Sequence, residues 1–259
     1  MLTTPEIDRC ACALRRAELT RQSIDPLSLR HPSLGEDQAY AIQAATLALR
    51  GTRRVGFKLG YTSAAMRAQM NIDHPNFGVL MEDFCVEQGA GCVQASQLIH
   101  PLVEPEIALL VERSIEGTGH DRNSIRRHVD AVLPALEVVD TRYHEYKFGI
   151  ADNISDNSSS ARFLTGSPRS LAAVGDLRLI GVLLWSQGRN VDQGIGANAL
   201  GDPLLALAWL ANFLGARGEG IVEGSLILTG GLTRAHGAAA GQSLVAEFAE
   251  LGSVRLHFE

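Results

Sequence analysis

The chain has 259 residues and a formal net charge of −6, from 23 Lys and Arg against 29 Asp and Glu. This mildly acidic balance argues against a nucleic-acid binder, which usually carries a basic excess. Hydrophobic residues make up 46% of the sequence, which excludes a disordered or collagen-like chain, and 26 glycines with 5% aromatic residues indicate a fold rich in turns.

The first 20 residues carry six charged side chains, so they lack the apolar stretch of a secretory signal. The longest apolar run, residues 204–214, is about half as long as a membrane span requires. The four cysteines are Cys10, Cys12, Cys85 and Cys92. Their number and spacing fit neither a disulfide scaffold nor a zinc site. We therefore expect a cytoplasmic protein that has reduced thiols and does not bind membranes.

The first 52 residues are predicted to be helical. Apolar side chains recur at helical spacing over residues 1–21, from Ile7 to Leu19, and a turn at Asp25-Pro26 ends this helix. Ser33 and Glu36 have the spacing of a capping box, in which the two side chains satisfy free backbone N–H groups. A second helix is predicted over residues 36–50.

From residue 53 onward the sequence favours short strands. A helical turn or two is predicted over residues 64–70, and a short helix over 124–133, which Pro134 ends. The clearest helix is 203–214, because a proline occupies its first turn. Strands are predicted over residues 55–59, 103–111, 135–140, 177–185, 225–229 and 254–258.

Strands and helices do not alternate regularly along the chain, which argues against a doubly wound parallel sheet. We predict an α+β fold with a largely antiparallel, mixed β core. The length favours one domain, with a helical amino-terminal section over residues 1–52 and a β-rich core over residues 53–259.

Three glutamates stand in apolar surroundings. Glu104 and Glu106 are two residues apart on an extended segment, so their side chains share a face. Two such carboxylates in a low dielectric repel each other unless a cation lies between them. Glu137 interrupts the apolar run 135–139, and such local violations tend to mark sites. Together the three carboxylates suit Mg²⁺ or Mn²⁺; the alternative is that all three point into solvent.

Three other segments offer polar groups. Lys58 lies in a strand flanked by glycines, where a buried lysine can transfer a proton or hold a carboxylate; a surface lysine is the alternative. The polar loop 156–160 either binds an anionic ligand or only stabilises turns. Thr229-Gly230-Gly231 follows a strand and allows backbone N–H groups to approach an anion.

Taken together, these segments resemble the hydratase and decarboxylase family of catechol meta-cleavage pathways, within the fumarylacetoacetate hydrolase superfamily. The resemblance runs in order over nearly the whole chain and implies a fumarylacetoacetate-hydrolase-like fold in a single catalytic domain. After the helical start, the matching motifs are residues 56–63, 103–108, 135–142, 155–160, 203–212 and 251–254.

The resemblance also implies a role for each residue singled out. In that family the E-x-E pair and the later glutamate bind Mg²⁺ or Mn²⁺, the lysine lies in the active site, and the serines lie near the substrate. The implied metal ligands are Glu104, Glu106 and Glu137, the implied catalytic residues are Lys58, Ser159 and Ser160, and the implied substrate contacts include Thr229, Gly230 and Gly231.

Two activities share this scaffold. One branch hydrates 2-hydroxypenta-2,4-dienoate to 4-hydroxy-2-oxopentanoate, and the other decarboxylates 4-oxalocrotonate, (3E)-2-oxohex-3-enedioate, to that dienoate. The sequence resembles the decarboxylase branch in three stretches, residues 140–148, 160–163 and 229–231. Asn76 stands where hydratases often have an aspartate. We predict the decarboxylase, with the hydratase as the alternative; an acylpyruvate hydrolase and a non-catalytic partner subunit are less favoured.

The decarboxylase substrate has a second carboxylate, so its pocket is expected to offer an extra cation. Arg162, just after the serine cluster, is the candidate, and a surface arginine is the alternative. The expected partners are a small 2-oxo acid, further copies of the chain, and the hydratase that acts with such decarboxylases. Neither a nucleic acid nor a membrane is expected.

Overall fold

The computed structural model describes residues 1–64, 67–68, 72–87 and 91–259, so the turns predicted over 64–70 lie partly outside the described residues. Within these ranges the helices are α1 (Thr4–Thr20), α2 (Leu27–Arg30), α3 (Glu36–Ala48), α4 (Arg122–Arg126), α5 (Ile150–Ser155) and α6 (Pro203–Gly215). The strands are β1 (Arg54–Gly60), β2 (Asn76–Met81), β3 (Cys92–Val93), β4 (Leu102–Val111), β5 (Val129–Val139), β6 (Ser160–Thr165), β7 (Arg169–Ser170), β8 (Gly181–Ser186), β9 (Arg189–Ile195), β10 (Leu226–Leu228), β11 (His236–Gly237), β12 (Ser243–Phe248) and β13 (Gly252–Phe258).

The strands form two sheets. The first has the order β2-β1-β10-β4-β5-β6, with β11 beside β4 and β7 beside β5; the second has the order β3-β13-β12-β8-β9. In the part of the chain that is described, β1 pairs with β10 and β13 with β3 in parallel, and the other pairs are antiparallel. The predicted α+β fold with a largely antiparallel core is confirmed.

The alternation of side chains along β4 and β5 separates the main core from the functional face. On one face Ile107 and Val138 pack with Leu184 and Leu244 of the second sheet and with α6. The opposite face of the first sheet holds a smaller apolar cluster that includes Ala108, Ala135 and Phe163. Glu104, Glu106 and Glu137 share this second face, near the start of β4 and the end of β5.

The helical section packs on the loop that follows β5. Cys10, Leu14, Leu27 and Ile42 surround the buried ring of Tyr143. Leu19 was expected on the buried side of α1, but it is 59% exposed. Ala17 is buried there instead, because Cys10, Leu14 and Ala17 follow the helical period.

Two local predictions are wrong. Ser33 and Glu36 form no capping box, because α3 begins at Glu36 with Gly35 as its N-cap. The helix predicted over 124–133 is only α4, and β5 begins at Val129 and continues through Pro134. The apolar run of β5 is buried on both faces, so sheet burial overrides the local helical pattern, and the carbonyl of Pro134 still accepts from Gly166 (2.8 Å).

Among the described residues, no helix has the length and apolar character that a membrane crossing needs. None of the four cysteines, all of which lie in the described ranges, forms a disulfide.

Candidate metal centre and active site

The structure brings the three predicted metal ligands together. Glu104 on β4 lies directly opposite Glu137 on β5, and Glu106 lies two residues further along β4. Each carboxylate offers an oxygen, and these three oxygens lie within 4.8 Å of one another. Glu106 and Glu137 are fully buried and Glu104 is half-buried, so the three do not point into solvent.

The early end of β10 makes room for this cluster. β10 lies between β1 and β4 but ends at Leu228, opposite Ala108, before it reaches the level of the glutamates. The chain then turns, and the N–H of Gly230 donates to Glu106 Oε2 at 2.6 Å. Gly230 has a φ of 107°, and a Cβ there would stand 2.0 Å from Thr62 Oγ1, so only glycine fits.

Lys58 is the cationic group of the site. It is 3% exposed, and its Nζ lies 3.0 Å from Glu137 Oε2 and donates to the carbonyl of Ser158 at 3.0 Å. Burial lowers the pKa of Lys58, but the carboxylates of Glu137, Glu104 and Glu106 outweigh burial and raise it above its ordinary value. Lys58 is therefore a buried ammonium and not a surface lysine.

One ammonium does not balance three carboxylates. Burial raises the pKa of Glu104 to about 7, with Lys58 opposing that shift, and burial and repulsion from Glu137 raise the pKa of Glu106 well above its ordinary value. Glu106 Oε1 and Glu137 Oε1 are buried without hydrogen-bond partners among the described groups. Unpartnered carboxylate oxygens in this number fit a hard divalent cation that also keeps water or substrate oxygens, such as Mg²⁺ or Mn²⁺.

A cavity of about 250 Å³ adjoins the cluster. It is smaller than the roughly 300–1,000 Å³ typical of sites for drug-sized ligands, so it suits a small molecule. One part of its lining is polar and another is apolar. The polar lining consists of Lys58, Glu104, Asn153, Ser158 and Ser159, and the rest is formed by Gly60, Tyr61, Leu102, Val139, Tyr146, Phe148 and Ala235.

The serine segment, Asn157–Ser159, has an unusual backbone. Its three residues have φ values of 53°, 50° and 58°, in the left-handed region that costs of order 1–3 kcal/mol for each non-glycine residue. This conformation directs the carbonyl of Ser158 to Lys58. The loop 156–160 therefore does more than form a turn, because it presents groups to the cavity.

The predicted serines have different positions. Ser159 lines the cavity, and its Oγ accepts from Asn153 Nδ2 at 3.2 Å. Ser160 begins β6, and its buried Oγ has no hydrogen-bond partner among the described groups. Ser160 is absent from the cavity lining, so the structure does not bring it to the site as it does Ser159.

Sequence reasoning missed a buried amide network behind the cavity. The Ser158 hydroxyl donates to Asn76 Oδ1 (3.1 Å), and Asn76 Nδ2 donates to Asn153 Oδ1 (2.7 Å). Asn76 is fully buried, so it holds Ser158 and Asn153 and does not face the cavity. The one available signal was the set of polar residues in segments that otherwise read as buried.

The stretch 140–148, whose sequence resembles that of decarboxylases, supplies part of the apolar wall of the cavity. The rings of Tyr146 and Phe148 line the cavity, and the hydroxyl of Tyr146 donates to the carbonyl of Val139 at 3.0 Å. Tyr61 lies on the lining too, and burial raises its pKa to about 12. The sequence interpretation did not assign these aromatic rings a role.

Other singled-out residues have structural contacts. Arg162 donates to the carbonyl of Ala161 (2.8 Å) and is absent from the cavity lining, so the structure does not bring this cation to the site. Thr229 Oγ1 donates to the carbonyl of Ile107 at 2.7 Å. Gly231 lies against Glu104, where a Cβ would come within 3.0 Å of Oε1. Thr229, Gly230 and Gly231 are absent from the cavity lining; Gly230 and Gly231 instead contact Glu106 and Glu104 of the carboxylate cluster.

Comparisons with known proteins identify the family of this chain, although no protein-family model matches it. A 4-oxalocrotonate decarboxylase of Pseudomonas putida is 38% identical over 95% of this chain and 94% of that protein. A 2-keto-4-pentenoate hydratase of Paraburkholderia xenovorans (strain LB400) is 34% identical over 100% of this chain and 97% of that protein.

Solved structures agree as well. The 4-oxalocrotonate decarboxylase from Pseudomonas putida G7, complexed with magnesium and adipate, matches with a TM-score of 0.96 and 38% identity over 100% of this chain and 99% of that one. A fumarylpyruvate hydrolase from Pseudomonas aeruginosa matches with a TM-score of 0.61 and 17% identity over 80% of this chain and 89% of that one, which shows the fold alone. This chain belongs to the family of 4-oxalocrotonate decarboxylases and 2-keto-4-pentenoate hydratases, with the fumarylacetoacetate hydrolase fold.

Proposed function

We propose that this chain is a divalent-metal-dependent decarboxylase that converts 4-oxalocrotonate to 2-hydroxypenta-2,4-dienoate and CO₂. The observation that carries the proposal is the pairing of a carboxylate cluster and a buried ammonium with an apolar cavity wall. The relatives named 4-oxalocrotonate decarboxylase, 38% and 37% identical over nearly the whole chain, support this choice of substrate.

Glu104, Glu106 and Glu137 would hold the cation. Their unpartnered oxygens support this role, and a related decarboxylase structure contains magnesium. When bound, Mg²⁺ or Mn²⁺ supplies Lewis-acid polarisation of the carboxylate and keto oxygens of a 2-oxo acid.

Lys58 orients the substrate and stabilises developing charge. Of the three N–H groups of its ammonium, one faces Glu137 and one donates to the Ser158 carbonyl. The third has only a long contact with the Ser158 hydroxyl, at 3.5 Å, so it can turn to a substrate oxygen in the cavity. As the C5–C6 bond breaks, CO₂ leaves. The electron pair of that bond stays with the five-carbon fragment and spreads through the conjugated system to the C2 oxygen. The resulting dienolate takes up one proton from water, which gives 2-hydroxypenta-2,4-dienoate. An N–H held at that oxygen stabilises the charge.

The apolar wall suits the carboxylate that leaves. Lys58 is the one cation among the described residues of the cavity lining, and Leu102, Val139 and Phe148 offer no hydrogen bond from their side chains. A carboxylate placed against this wall is poorly solvated, and its departure as neutral CO₂ moves the negative charge away from the wall to the C2 oxygen. This wall takes the place of the Arg162 cation that we expected from the sequence.

The hydratase is the second candidate, because a hydratase relative aligns with 100% of this chain at 34% identity. Asn76 disfavours it. Its amide has no titratable proton, and its Oδ1 and Nδ2 are both bonded to neighbouring side chains behind the cavity. Asn76 therefore cannot act as the acid or base that an aspartate would supply.

A substrate comparison tests the proposal. Each of 4-oxalocrotonate and 2-hydroxypenta-2,4-dienoate is incubated with the Mg²⁺-loaded enzyme, and the products are identified by mass spectrometry. We expect CO₂ and dienoate from the first substrate and no 4-hydroxy-2-oxopentanoate from the second. Rapid hydration of the dienoate without CO₂ release from 4-oxalocrotonate would assign the hydratase activity instead.

We further propose that copies of the chain associate and that the hydratase of the same reaction sequence is a partner in the cytoplasm. Leu183, Val191 and Ile195 expose 39%, 36% and 37% of their surface on neighbouring strands, which supports contact with further copies. The dienol product is the substrate of a hydratase, which favours direct transfer. Cysteines that form no disulfide fit a reducing compartment.

A further inference from the structure

A buried ion pair lies beneath the serine segment and is not part of the cavity lining. The side chains of Arg142 and Asp156 are 8% and 1% exposed, and their charged groups are in direct contact. A buried ion pair is expensive to desolvate and adds little net stability by itself. The role of this ion pair is therefore better judged from the hydrogen bonds that it makes with the backbone.

Arg142 contacts the chain on both sides of the serine segment. Its Nε and Nη2 donate to the carboxylate and the carbonyl of Asp156, just before the segment. Its Nη1 donates to the carbonyl of Asp140 at 2.6 Å and also to the carbonyl of Ser160, just after the segment, at 3.3 Å. The hydroxyl of Thr141 donates to the other carboxylate oxygen of Asp156 at 2.8 Å.

The residues between these two ends need such support. Asn157, Ser158 and Ser159 have a left-handed backbone, which persists in non-glycine residues only when the surroundings fix it. The central one, Ser158, gives its carbonyl to Lys58 at 3.0 Å. If the two ends move apart and the backbone relaxes, Lys58 keeps its contact with Glu137 but loses this second anchor.

We propose that Arg142 and Asp156 are positioning residues for Lys58: the ion pair fixes both ends of the serine segment, so that the Ser158 carbonyl holds the ammonium towards the substrate. The catalytic consequence rests on the proposed function. The structural part, that the ion pair maintains the left-handed segment, does not depend on which reaction the enzyme catalyses.

The variant Arg142→Lys tests the proposal, because lysine keeps the charge but lacks the planar fork that reaches both Asp156 and Ser160. We expect kcat for 4-oxalocrotonate to fall at least tenfold. KM and the affinity for Mn²⁺ should change less than threefold, since Glu104, Glu106 and Glu137 receive no hydrogen bond from Arg142. Amide hydrogen exchange over residues 157–160 should become at least tenfold faster.

Arg50→Lys is the matched control. The Arg50 side chain is 7% exposed and pairs with Glu18 and Asp83, so it is as buried as Arg142 but has no described contact with the serine segment. We expect it to lower the Tm while leaving kcat and the exchange of 157–160 at wild-type values. A wild-type kcat in Arg142→Lys, or an equal loss of kcat in both variants, would overturn the proposal.

Thr141→Val gives an independent test if Arg142→Lys does not fold. It removes one hydrogen bond to Asp156 without changing side-chain size, and we expect a two- to fivefold lower kcat together with faster exchange over 157–160. Unchanged values for both would overturn the proposal. If the wild-type enzyme does not release CO₂ from 4-oxalocrotonate, the proposed function fails, whereas the exchange measurement still decides whether the ion pair holds the segment.

Discussion

Glu106 accepts a hydrogen bond from the Gly230 N–H through one oxygen, and its other oxygen is buried without a partner among the described groups. The variant Glu106→Gln removes one negative charge from the cluster while keeping the side-chain size. We expect the affinity for Mn²⁺ to fall by about 100-fold or more, since even outer-sphere partners contribute 10- to 100-fold. The Tm of the metal-free protein should rise, because a neutral amide avoids the cost of burial and repulsion that raises the pKa of Glu106. Calorimetry measures both.

Glu112→Gln is the control for this prediction. Glu112 follows β4 directly but is exposed, so the substitution removes the same charge outside the cluster. We expect no change in Mn²⁺ affinity and little change in Tm. Equal effects of the two substitutions would show that net charge, and not the cluster, controls metal binding.

The raised pKa values of the buried glutamates give a pH dependence. The carboxyl of Glu104 has a pKa of about 7 in the folded protein against an ordinary value of 4.5, so the folded state binds more protons between these values. The stability that this group contributes to the metal-free protein is present below about pH 4.5 and is lost as the pH rises through about 7. Metal affinity should rise over the same range, because binding requires ionised carboxylates.

A comparison of wild type with Glu104→Gln isolates this effect from the other titrating groups. As the pH rises from 5 to 8, the Tm of the metal-free wild type should fall relative to that of the variant, and its affinity for Mn²⁺ should increase. A Tm difference that does not depend on pH would contradict the assignment of a raised pKa to Glu104.

Residues that violate a local rule could be predicted from the sequence. Glu104, Glu106 and Glu137 stand out because a carboxylate in an apolar run is costly, and Lys58 stands out for the same reason. Ser158 and Asn153 could not be identified, because their roles depend on a left-handed turn and on contacts between residues far apart in the chain. From its place after the serine cluster, Arg162 was expected to bind the second carboxylate of the substrate. Its side chain donates to the Ala161 carbonyl instead and is absent from the cavity lining.

The turn after β10 positions Glu106, and a substitution at Gly230 tests how strongly metal binding depends on it. Gly230→Ala places a methyl group against Thr62 and displaces the N–H that binds Glu106. We expect a loss of stability of about 3 kcal/mol or more, from the left-handed backbone and the clash together, and weaker Mn²⁺ binding. Chemical denaturation and metal titration measure the two effects.

Gly241→Ala separates backbone strain from the clash. Gly241 has a φ of 83°, but a Cβ there meets nothing within 4 Å. The loss should be about 1–2 kcal/mol, with unchanged Mn²⁺ affinity. If Gly241→Ala weakened metal binding as much as Gly230→Ala does, the link between the β10 turn and Glu106 would be wrong.

Elements with strong periodicity were predictable, whereas those that depend on neighbouring strands were not. The helix α6 follows from its proline start and apolar body, and its N-cap is Asp202, which accepts from the N–H of Leu204 at 2.8 Å. β5 was predicted only in part, because Pro134 suggested the end of a helix. β9 was missed because it is polar and largely exposed. Strand pairing, and not local sequence, fixes such segments.

At the scale of the whole molecule, buried polar contacts attach the helical section to the elements of the site. The N–H and hydroxyl of Ser28 on α2 donate to the two carboxylate oxygens of Asp152 on α5, at 2.8 and 2.6 Å. Asp152 is fully buried, and Asn153 of the cavity lining follows it directly. The sequence predicted a helical section over residues 1–52 but not where it packs, because that depends on distant partners.

Ser28→Ala should lower the free energy of unfolding by about 1–3 kcal/mol, because it leaves the buried Asp152 carboxylate with one fewer donor. Thr20→Ala, which removes an exposed hydroxyl from the end of α1, should change it by about 0.5 kcal/mol or less. Urea denaturation compares the two. Equal losses would show that the α2–α5 contact does not anchor the helical section.

The central claim is that the carboxylate cluster makes this chain a metal-dependent decarboxylase. Release of CO₂ from 4-oxalocrotonate, measured after chelation of divalent metal and again after Mg²⁺ is restored, tests it most directly. We predict one CO₂ per substrate consumed, a rate at least about 100-fold lower without metal, and full recovery with Mg²⁺. CO₂ release that is unaffected by chelation, or substrate consumption without CO₂, would contradict the account.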